Sequence, residues 1–526
     1  MSNQNVQIAQ AYHETTKLAY INLRNKPPLY KSYTGAPVIP LPANFPRPET
    51  STLDAVAVAD LEQESASSLD LTALARLLYL SAGVIRKRKL PQIGEVHYRA
   101  ASSAGALYPI ETYLVCQDIP GLDAGVYHFS PEDFSLRQLR RGNYLGELTG
   151  ASGGHPAIAG SIATIVFTAI FWRSVWKYRA RGYRYCLWDN GTMTANLMAT
   201  AAAAGLPANL VVGSIDERVD RLVGIDGERE ASICLVSLGK DLTTGQPPAG
   251  PPGLTPVSAQ GVAFSGEEID YPEIRQMHAA SLLRNGEEVT NWRGVLPSPP
   301  PQDRGSFYSL QTPLANDLTP RGLGEVILER GSTRRFSREP ISYPQLSAIL
   351  DRSTRGVPAD FLGPEGTSLL DLYIIVNAVE GLPSGAYFFS PQRHGLELLQ
   401  EGNFREEAGH LCFEQALGAD ASAVVFFLAD LGRVLGRYGN RGYRAAQLEA
   451  GVLGGKIYLC AHSSGLGASG ITFYDDDVTE FFSPHAADKS PIFVVTLGNP
   501  APRNRVRPFR SRVAVRLDAL ARGARG

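Results

Sequence analysis

Apolar and polar positions in the first half of the chain predict a mixture of helices and strands. Leu74, Leu77 and Leu78 recur at helical spacing and predict a helix over 71–83. A nearly all-apolar stretch over 187–204 predicts a long helix, which is typical of a helix at the centre of a core. Short apolar or β-branched runs predict strands over 111–116, 125–129, 162–171 and 233–238.

The second half of the chain repeats this order. The same patterns predict elements over 343–352, 372–377, 386–389, 423–428, 447–464 and 492–497. Gly125-Val-Tyr-His-Phe-Ser-Pro131 recurs as Gly385-Ala-Tyr-Phe-Phe-Ser-Pro391, and Arg181-Gly-Tyr-Arg184 recurs as Arg441-Gly-Tyr-Arg444, in both cases 260 residues later. One unchanged spacing indicates a duplicated domain rather than a solenoid, whose period is about 20–50 residues. Strands mixed with one dominant apolar helix predict an α+β fold.

Proline-rich segments predict where the two copies begin and end. Residues 1–50 are polar and then proline-rich, and they predict an N-terminal arm on the surface. Residues 241–320 contain two proline clusters and predict a linker or extended arm. We therefore expect copy one over 51–240 and copy two over 321–526.

Composition narrows the classes of function. The chain has 526 residues, 44% hydrophobic and 19% charged, so each half can bury a core. A net charge of −2 argues against nucleic-acid binding driven by bulk charge. Five widely spaced cysteines without a C-x-x-C pair predict buried free thiols in a reducing compartment. With no signal-peptide pattern and no apolar stretch of about 20 residues, we expect a cytoplasmic protein without a membrane partner.

Two segments carry chemistry suited to a ligand. Arg330-Gly-Ser-Thr-Arg-Arg-Phe336 offers forked guanidinium donors and hydroxyls that fit a phosphate, although a solvated basic turn is the alternative. Ser102-Ser-Ala-Gly-Ala-Leu-Tyr-Pro109 has small residues that let backbone N–H groups approach a ligand, although a tight structural turn is the alternative. The lone histidines show no metal-ligand spacing, so no metal site is predicted.

Together these two segments resemble the nitroreductase-type flavoproteins, and in particular the azoline oxidases of the SagB/ThcOx type. Further matches are Lys177-Tyr-Arg-Ala-Arg-Gly-Tyr-Arg184 and Gly205-Leu-Pro-Ala208. The resemblance covers nearly all of 70–240 and 320–505. It implies two nitroreductase-like domains in tandem that form an intramolecular pseudo-dimer, with FMN bound at the interface between the copies.

The resemblance also implies roles for individual residues. Lys177 and Tyr178 match the lysine–tyrosine pair that azoline oxidases use near the flavin, with a surface Lys-Tyr pair as the alternative. The implied cofactor-binding residues are Arg330, Ser332, Arg334, Ser103, Ala104, Gly105, Leu107, Gly465, Leu466, Gly467, Arg503 and Arg505. A glycine helix stop at 465 and a solvated basic tail after 502 are the alternatives for the last five.

The two copies differ in these segments. Aligning their first helices places Val58, Asp60 and Glu62 opposite Arg330, Ser332 and Arg334. Carboxylates at those positions would repel a phosphate by an energy on the order of kilocalories per mole. Copy two also lacks the segment over 102–109 and has Leu362-Gly-Pro-Glu-Gly-Thr-Ser368 in its place. We therefore expect one FMN per chain rather than two.

The resemblance implies an FMN-dependent dehydrogenase or oxidase. A substrate carbon would give a hydride to flavin N5, Tyr178 or Lys177 would take a proton, and dioxygen would regenerate the flavin. The implied substrate is a peptide carrying thiazoline or oxazoline rings, or a small amino-acid-derived molecule, with a cyclodehydratase-type enzyme as a partner. An NAD(P)H-dependent reductase and a non-catalytic partner subunit are the alternatives.

Overall fold

The structure is a computed structural model that describes residues 2–17, 27–58, 69–90, 94–240, 254, 257, 260–261, 268–297, 305–311, 321–363 and 367–502. In the first half the helices are α1 (Gln7–Thr15), α2 (Thr52–Ala57), α3 (Leu71–Ala82), α4 (Leu145–Ala151), α5 (Pro156–Ala159), α6 (Phe171–Tyr178), α7 (Gly182–Ala203) and α8 (Asp216–Val223). The strands of that half are β1 (Tyr33–Thr34), β2 (Val38–Pro40), β3 (Val84–Leu90), β4 (Gly94–Arg99), β5 (Ile110–Cys116), β6 (Gly125–Ser130), β7 (Ser135–Arg141), β8 (Ala163–Ile170), β9 (Ala208–Val211) and β10 (Glu230–Leu238).

The second half contains a similar set. Its helices are α9 (Pro272–Ala280), α10 (Gly286–Trp292), α11 (Leu323–Glu329), α12 (Tyr343–Ser353), α13 (Arg405–Leu411), α14 (Ala416–Asp420), α15 (Leu431–Tyr438), α16 (Asn440–Ser463) and α17 (Asp475–Phe481). Its strands are β11 (Gln260–Gly261), β12 (Phe307–Ser309), β13 (Ile341–Ser342), β14 (Asp371–Val376), β15 (Val379–Glu380), β16 (Gly385–Ser390), β17 (Gly395–Glu401), β18 (Ala423–Ala429), β19 (Gly467–Gly470) and β20 (Ser490–Gly498). Short 3-10 helices cover Ser2–Gln4, Ala104–Ala106 and Arg179–Arg181.

Each half builds a seven-stranded sheet with the same topology. The strand orders are β2-β7-β6-β5-β8-β10-β9 and β12-β17-β16-β14-β18-β20-β19. The register is repeated as well, since Ala163 pairs with Leu238 in one sheet and Ala423 pairs with Leu497 in the other. The predicted α+β fold and its duplication are confirmed.

The two halves meet along α7 and α16, which lie at the centre of the molecule. A Cβ added to Gly191 would lie 2.5 Å from the Cα of Gly451, so both helices need glycine where their backbones cross. Close by, Trp188 Nε1 donates a hydrogen bond to Gln447 Oε1 over 2.6 Å. The glycines that recur at the repeat spacing therefore mark the contact between the copies.

Both central helices begin earlier than the apolar pattern predicts. Their first turns contain the two Arg-Gly-Tyr-Arg segments, whose arginines are buried in ion pairs with the other half of the chain. Arg184 contacts Asp475 at 2.7 Å, and Arg444 contacts Asp216 at 2.9 Å. Burial raises the pKa of Asp216, but Arg441 and Arg444 lower it more strongly, to about 2. The apolar pattern did not predict these buried first turns, because a buried arginine that is paired with an acid counts as polar in the hydrophobic periodicity.

The N-terminal helix α1 is part of the core. Its Tyr12 is only 2% exposed and packs edge-on against Tyr183 and Tyr443, one from each copy. Helix α9 repeats this arrangement, since His278 contacts Tyr183 as His13 of α1 contacts Tyr443. The prediction that residues 1–50 lie on the surface is therefore wrong for α1, because a few apolar side chains in a polar segment suffice to bury one face of a short helix.

The described residues also bear on membrane insertion, metal binding and disulfide formation. None of their helices is long and apolar enough to cross a membrane. They contain no group of histidine, cysteine and acidic side chains that could hold a metal ion. All five cysteines are buried and free of disulfides.

Candidate functional site

A cavity of about 240 Å³ lies between the two copies. Copy one contributes a turn before β5, the end of α6 and one face of α7. Copy two contributes the loop after α11, the end of β19 with the chain that follows it, and residues at α14, α16 and β20. The lining residues are Ser102, Ser103, Ala104, Gly105, Lys177, Tyr178, Tyr185, Trp188, Asp189, Thr192, Ser332, Arg334, Gln415, Leu417, Tyr458, Ser469, Gly470, Ile471, Thr472 and Phe493. Predicted residues from both copies thus meet at one cavity, which we call the open position.

The turn over 103–108 forms one wall. Its backbone is left-handed at Gly105, Ala106 and Tyr108, with φ values of +64°, +54° and +49°. A Cβ added to Gly105 would lie 2.8 Å from Tyr178 Oη and 2.9 Å from Lys177 Nζ. Glycine suits this position for two reasons, since a side chain would be strained at this φ and would displace the ends of Tyr178 and Lys177.

A buried carboxylate holds this turn in place. Ser103 Oγ donates to Asp189 Oδ2 over 2.5 Å, and the backbone N–H of Ala104 donates to Asp189 Oδ1 over 2.9 Å. Ser103 Oγ in turn accepts a hydrogen bond from the N–H of Tyr108. Burial raises the pKa of Asp189 to about 7 despite these two donors.

Lys177 and Tyr178 are the last two residues of α6. Lys177 Nζ lies 5.1 Å from the centre of the Tyr178 ring, and that ring packs against Tyr185 at 4.2 Å. Burial raises the pKa of Tyr178 well above its usual value, while the positive charge of Arg334 partly offsets the rise. Tyr178 therefore stays protonated at neutral pH and offers an O–H donor.

The loop after α11 brings two cations to the same region. Arg330 lies behind the cavity wall, donates from Nε and Nη2 to the carbonyl of Ala100, and stacks 5.6 Å from the centre of the Tyr458 ring. Ser332 Oγ lies 3.2 Å from Tyr458 Oη, and Arg334 lines the cavity. Within the described residues neither Arg330 nor Arg334 has a carboxylate partner, although Arg330 is only 6% exposed. A buried guanidinium without an acid favours an anionic ligand nearby.

Some predicted residues lie outside the cavity lining. Leu107 is buried in the core, and the turn over 465–467 leads into β19 without reaching the cavity. A Cβ added to Gly467 would overlap the side chain of Thr333, so packing accounts for glycine there. The chain a few residues later, over 469–472, lines the cavity instead. Arg503 and Arg505 lie outside the described residues, as do Asp60 and Glu62.

Sequence patterns missed several lining residues. Those on the long helices and strands are Tyr185, Trp188, Asp189, Thr192, Tyr458 and Phe493, and those on a loop and the start of α14 are Gln415 and Leu417. For Asp189 a signal existed. It stands in a nearly all-apolar helix, and Glu449 stands in the other one 260 residues later. A recurring acid inside a buried helix indicates a specific partner.

The pseudo-equivalent position on the other side of the molecule is filled by the chain itself, and we call it the closed position. Arg437 and Tyr438 stand where copy one has Lys177 and Tyr178. Tyr438 Oη donates to the carbonyls of Gly294 and Phe361 over 2.7 and 2.9 Å. Trp292 Nε1 donates to the carbonyl of Tyr438 over 3.0 Å.

Backbone donors at the closed position are also satisfied internally. The carboxylate of Asp360 accepts from the N–H groups of Val212 and Gly213 over 2.9 and 2.8 Å. At the open position their counterparts are Thr472 and Phe473, whose N–H groups have no acceptor among the described residues. The same edge of the sheet is therefore covered in one copy and left with free donors in the other.

A larger cleft lies elsewhere. Its volume is about 360 Å³, and its lining residues include Phe171 and Trp172 at the start of α6 and Tyr271, Arg229 and Arg275. It contains none of the predicted catalytic or cofactor-binding residues, and size alone does not make it the functional site.

Comparison with known proteins identifies the class of the chain. The family model described as "Nitroreductase family" matches residues 66–240 and 327–498, which together exceed half of the chain. The chain therefore belongs to the nitroreductase family, as the sequence resemblance indicated, and it is a nitroreductase-like oxidoreductase with two family domains in tandem. Proteins of this family generally bind a flavin.

Individual relatives agree with this assignment. A solved structure of an Anabaena variabilis protein, provisionally described as a nitroreductase, is 28% identical with a TM-score of 0.73, and the match covers 94% of this chain and 99% of that one. The protein MJ1384 of Methanocaldococcus jannaschii, also provisionally described as a nitroreductase, is 29% identical over 34% of this chain and 90% of its own length. The microcin B17-processing protein McbC of Escherichia coli is 31% identical over 28% of this chain. The chain spans 56% of the length of McbC.

Proposed function

We propose that the chain is an FMN-dependent oxidoreductase of the SagB/ThcOx type that oxidises azoline rings of a modified peptide. One observation carries the proposal: a single cavity joins Gly105, Lys177 and Tyr178 of copy one with Ser332 and Arg334 of copy two. The similarity to McbC, a protein named for microcin processing, supports a peptide substrate. The resemblance to the azoline oxidases adds a cyclodehydratase-type enzyme, which forms the azoline, as the expected partner.

The residues at the open position suit FMN. Arg330 and Arg334 lack carboxylate partners in the described part of the chain and would neutralise the phosphate, with Ser332 adding a hydroxyl. Backbone contacts to the rest of the cofactor are offered by the turn over 103–108 and by the N–H groups of Thr472 and Phe473, for which the described segments contain no acceptor. Tyr185, Trp188 and Phe493 supply apolar walls for a planar ring.

FMN, when bound, would supply the two-electron oxidant that accepts a hydride from a ring carbon of the azoline. The neighbouring ring carbon would lose a proton, and the electron pair left behind would form the ring double bond. Tyr178, held protonated by its surroundings, would donate a hydrogen bond to the substrate. Lys177 Nζ beside it would take the proton from its neutral amine form. Gly105 leaves space for both groups at the same wall.

We also propose a single FMN per chain. At the closed position Asp360 accepts from two backbone N–H groups whose counterparts at the open position have no acceptor in the described part of the chain. Trp292 and Phe361 contact Tyr438 at the closed position. A carboxylate and an indole in that space would exclude a flavin phosphate and ring.

The test is reconstitution of the purified chain with FMN, followed by aerobic incubation with a thiazoline-containing peptide. We expect flavin absorbance and loss of two hydrogen atoms from the peptide by mass spectrometry. A chain that takes up no FMN, or a flavin-loaded chain that leaves azolines of several peptides unchanged, would refute the proposal.

A reductase is the second candidate, and the similarity to MJ1384 over most of that protein favours it. Anaerobic mixing of the FMN-loaded chain with NADH or NADPH distinguishes the two. Rapid bleaching of the flavin by the nicotinamide would favour the reductase, and an unchanged flavin spectrum would favour the azoline oxidase.

A further inference from the structure

We propose that Asp189 is a positioning residue that holds the turn over 103–108 against Lys177 and Tyr178. The role rests on the proposed function of the open position, because the turn matters only if the cavity holds the reacting molecules.

The geometry around Asp189 encloses the turn from both ends. Its two carboxylate oxygens accept from Ser103 Oγ and from the N–H of Ala104. Ser103 Oγ also accepts from the N–H of Tyr108, so the hydroxyl ties the two ends of the turn together. Asp189 itself is 5% exposed on a helix buried between the two copies, and its backbone is fixed by packing.

Copy two contains the same anchor without the turn. Glu449 accepts from Ser368 Oγ over 2.5 Å and from the N–H of Leu369 over 3.0 Å. Ser368 Oγ then accepts from the N–H of Leu370, two residues later, whereas Ser103 Oγ accepts from Tyr108, five residues later. Copy one therefore has more residues than copy two inside a shared anchor, and one of them, Gly105, lies against Lys177 and Tyr178.

The inserted residues need this anchor. Gly105, Ala106 and Tyr108 all adopt left-handed backbone, which non-glycine residues keep only when the surroundings impose it. The N–H of Ala106 donates to the carbonyl of Ser103, and Arg173 donates to the carbonyl of Tyr108, so the turn has some support of its own. The two bonds to Asp189 join the start of the turn to α7, and the bond from Tyr108 to Ser103 Oγ joins its two ends. Without them Gly105 would lose its fixed distance from Lys177 Nζ and Tyr178 Oη.

The charge of Asp189 acts on three neutral groups, which are Tyr178 of α6, Cys186 of its own helix and Tyr108 of the turn. Two cations, Lys177 and Arg334, line the same cavity. Burial raises its pKa to about 7, so the ionised form that accepts both bonds dominates only above that pH. Protonation converts one oxygen from an acceptor into a donor and weakens the anchor, which predicts an acid limb near pH 7 in the activity profile.

The test compares Asp189→Asn with its matched control Glu449→Gln in the full chain, using three measurements. In Asp189→Asn, hydrogen exchange of the peptide over 103–108 should lose about tenfold in protection, since a charge-assisted acceptor is replaced by a neutral amide. The FMN absorbance envelope should shift, and the acid limb near pH 7 should disappear from the activity profile. Glu449→Gln should leave all three unchanged.

Unchanged protection at 103–108 in Asp189→Asn, or an equal shift of the FMN spectrum in Glu449→Gln, would overturn the positioning role. Ser103→Ala provides a second check, because it removes one partner without altering the buried charge, and it should also increase exchange over 103–108. If wild-type chain binds no FMN, the proposed function fails, but exchange over 103–108 still decides whether Asp189 holds the turn.

Discussion

The open and closed positions are built on the same plan and differ in what fills them. Each has an acid of a central helix that holds a serine-containing segment, Asp189 with Ser103 and Glu449 with Ser368. Among the described residues, the chain covers the edge of the sheet at the closed position alone, through Asp360. Duplication in one chain thus lets the two halves diverge, which a symmetric dimer of identical subunits cannot do.

The difference also shows which parts of the repeat are structural. Three features recur in both copies and maintain the interface: the acids Asp216 and Asp475, the arginines that pair with them, and the glycines where α7 and α16 cross. The Lys177–Tyr178 pair, the inserted turn and the cations of the loop after α11 occur once each and meet at one cavity. We infer that features present in both copies hold the fold, and that features present once serve the reaction.

The largest expected effect comes from Lys177. If it takes a proton during turnover, Lys177→Met should lower kcat by about 10²–10⁴-fold with little change in FMN affinity. Steady-state kinetics on an azoline peptide would measure this. The matched variant Arg437→Met, at the closed position, should keep kcat within about twofold. Equal losses in both variants would mean that the two positions do not differ as described.

The two buried acids should oppose folding as pH rises. The pKa values of Asp189 and Glu449 are raised to about 7, so the folded chain binds more protons than the unfolded chain between about pH 4 and 7. Their contribution to the free energy of unfolding therefore falls as pH rises through that window. The free energy of unfolding of Asp189→Asn and of Glu449→Gln, each measured relative to wild type, should therefore increase by on the order of a few kcal/mol as the pH rises from 4 to 8. The reason is that each variant lacks one group whose ionisation opposes folding.

Denaturant titrations at pH 4, 6 and 8 would measure these differences, with wild type at each pH as the reference. Similar gains in the two variants would confirm that the anchor is shared. A gain in only one of them would show that the two turns are held differently.

Arg334 tests the cationic side of the open position. Arg334→Ala should weaken FMN binding by about 10–100-fold, because a charge-assisted hydrogen bond to phosphate is lost. The neighbouring Arg335→Ala should change affinity little, since Arg335 does not line the cavity. Fluorescence titration with FMN would measure both, and equal weakening would point to long-range charge rather than direct contact.

The smallest effect is a factor of two in stoichiometry. Denaturing extraction of flavin from the saturated chain should give about one FMN per chain, because Asp360 and Trp292 fill the closed position. A ratio near two would show that a flavin can displace these residues, and the distinction between the positions would then fail.

Patterns along the chain were enough to predict the duplication, the order of helices and strands, the family and many of the candidate residues. These depend on periodicity and on short motifs, which are local properties of the chain. Gly105 was visible for this reason, since a glycine in a small-residue turn signals an unusual backbone.

Contacts between residues that are distant in the chain could be read only from the folded protein. Nothing local indicates that Trp292, from a segment predicted to be a linker, would contact Tyr438, or that Asp360 would reach the backbone of Val212 and Gly213. The sequence did not predict the contacts of Asp189, which stands in a buried helix. It also did not predict the burial of α1, whose apolar residues are surrounded by polar ones in the chain. Such contacts join residues far apart in the chain, and their free energy comes from burial and hydrogen bonding that exist only once both copies have packed together.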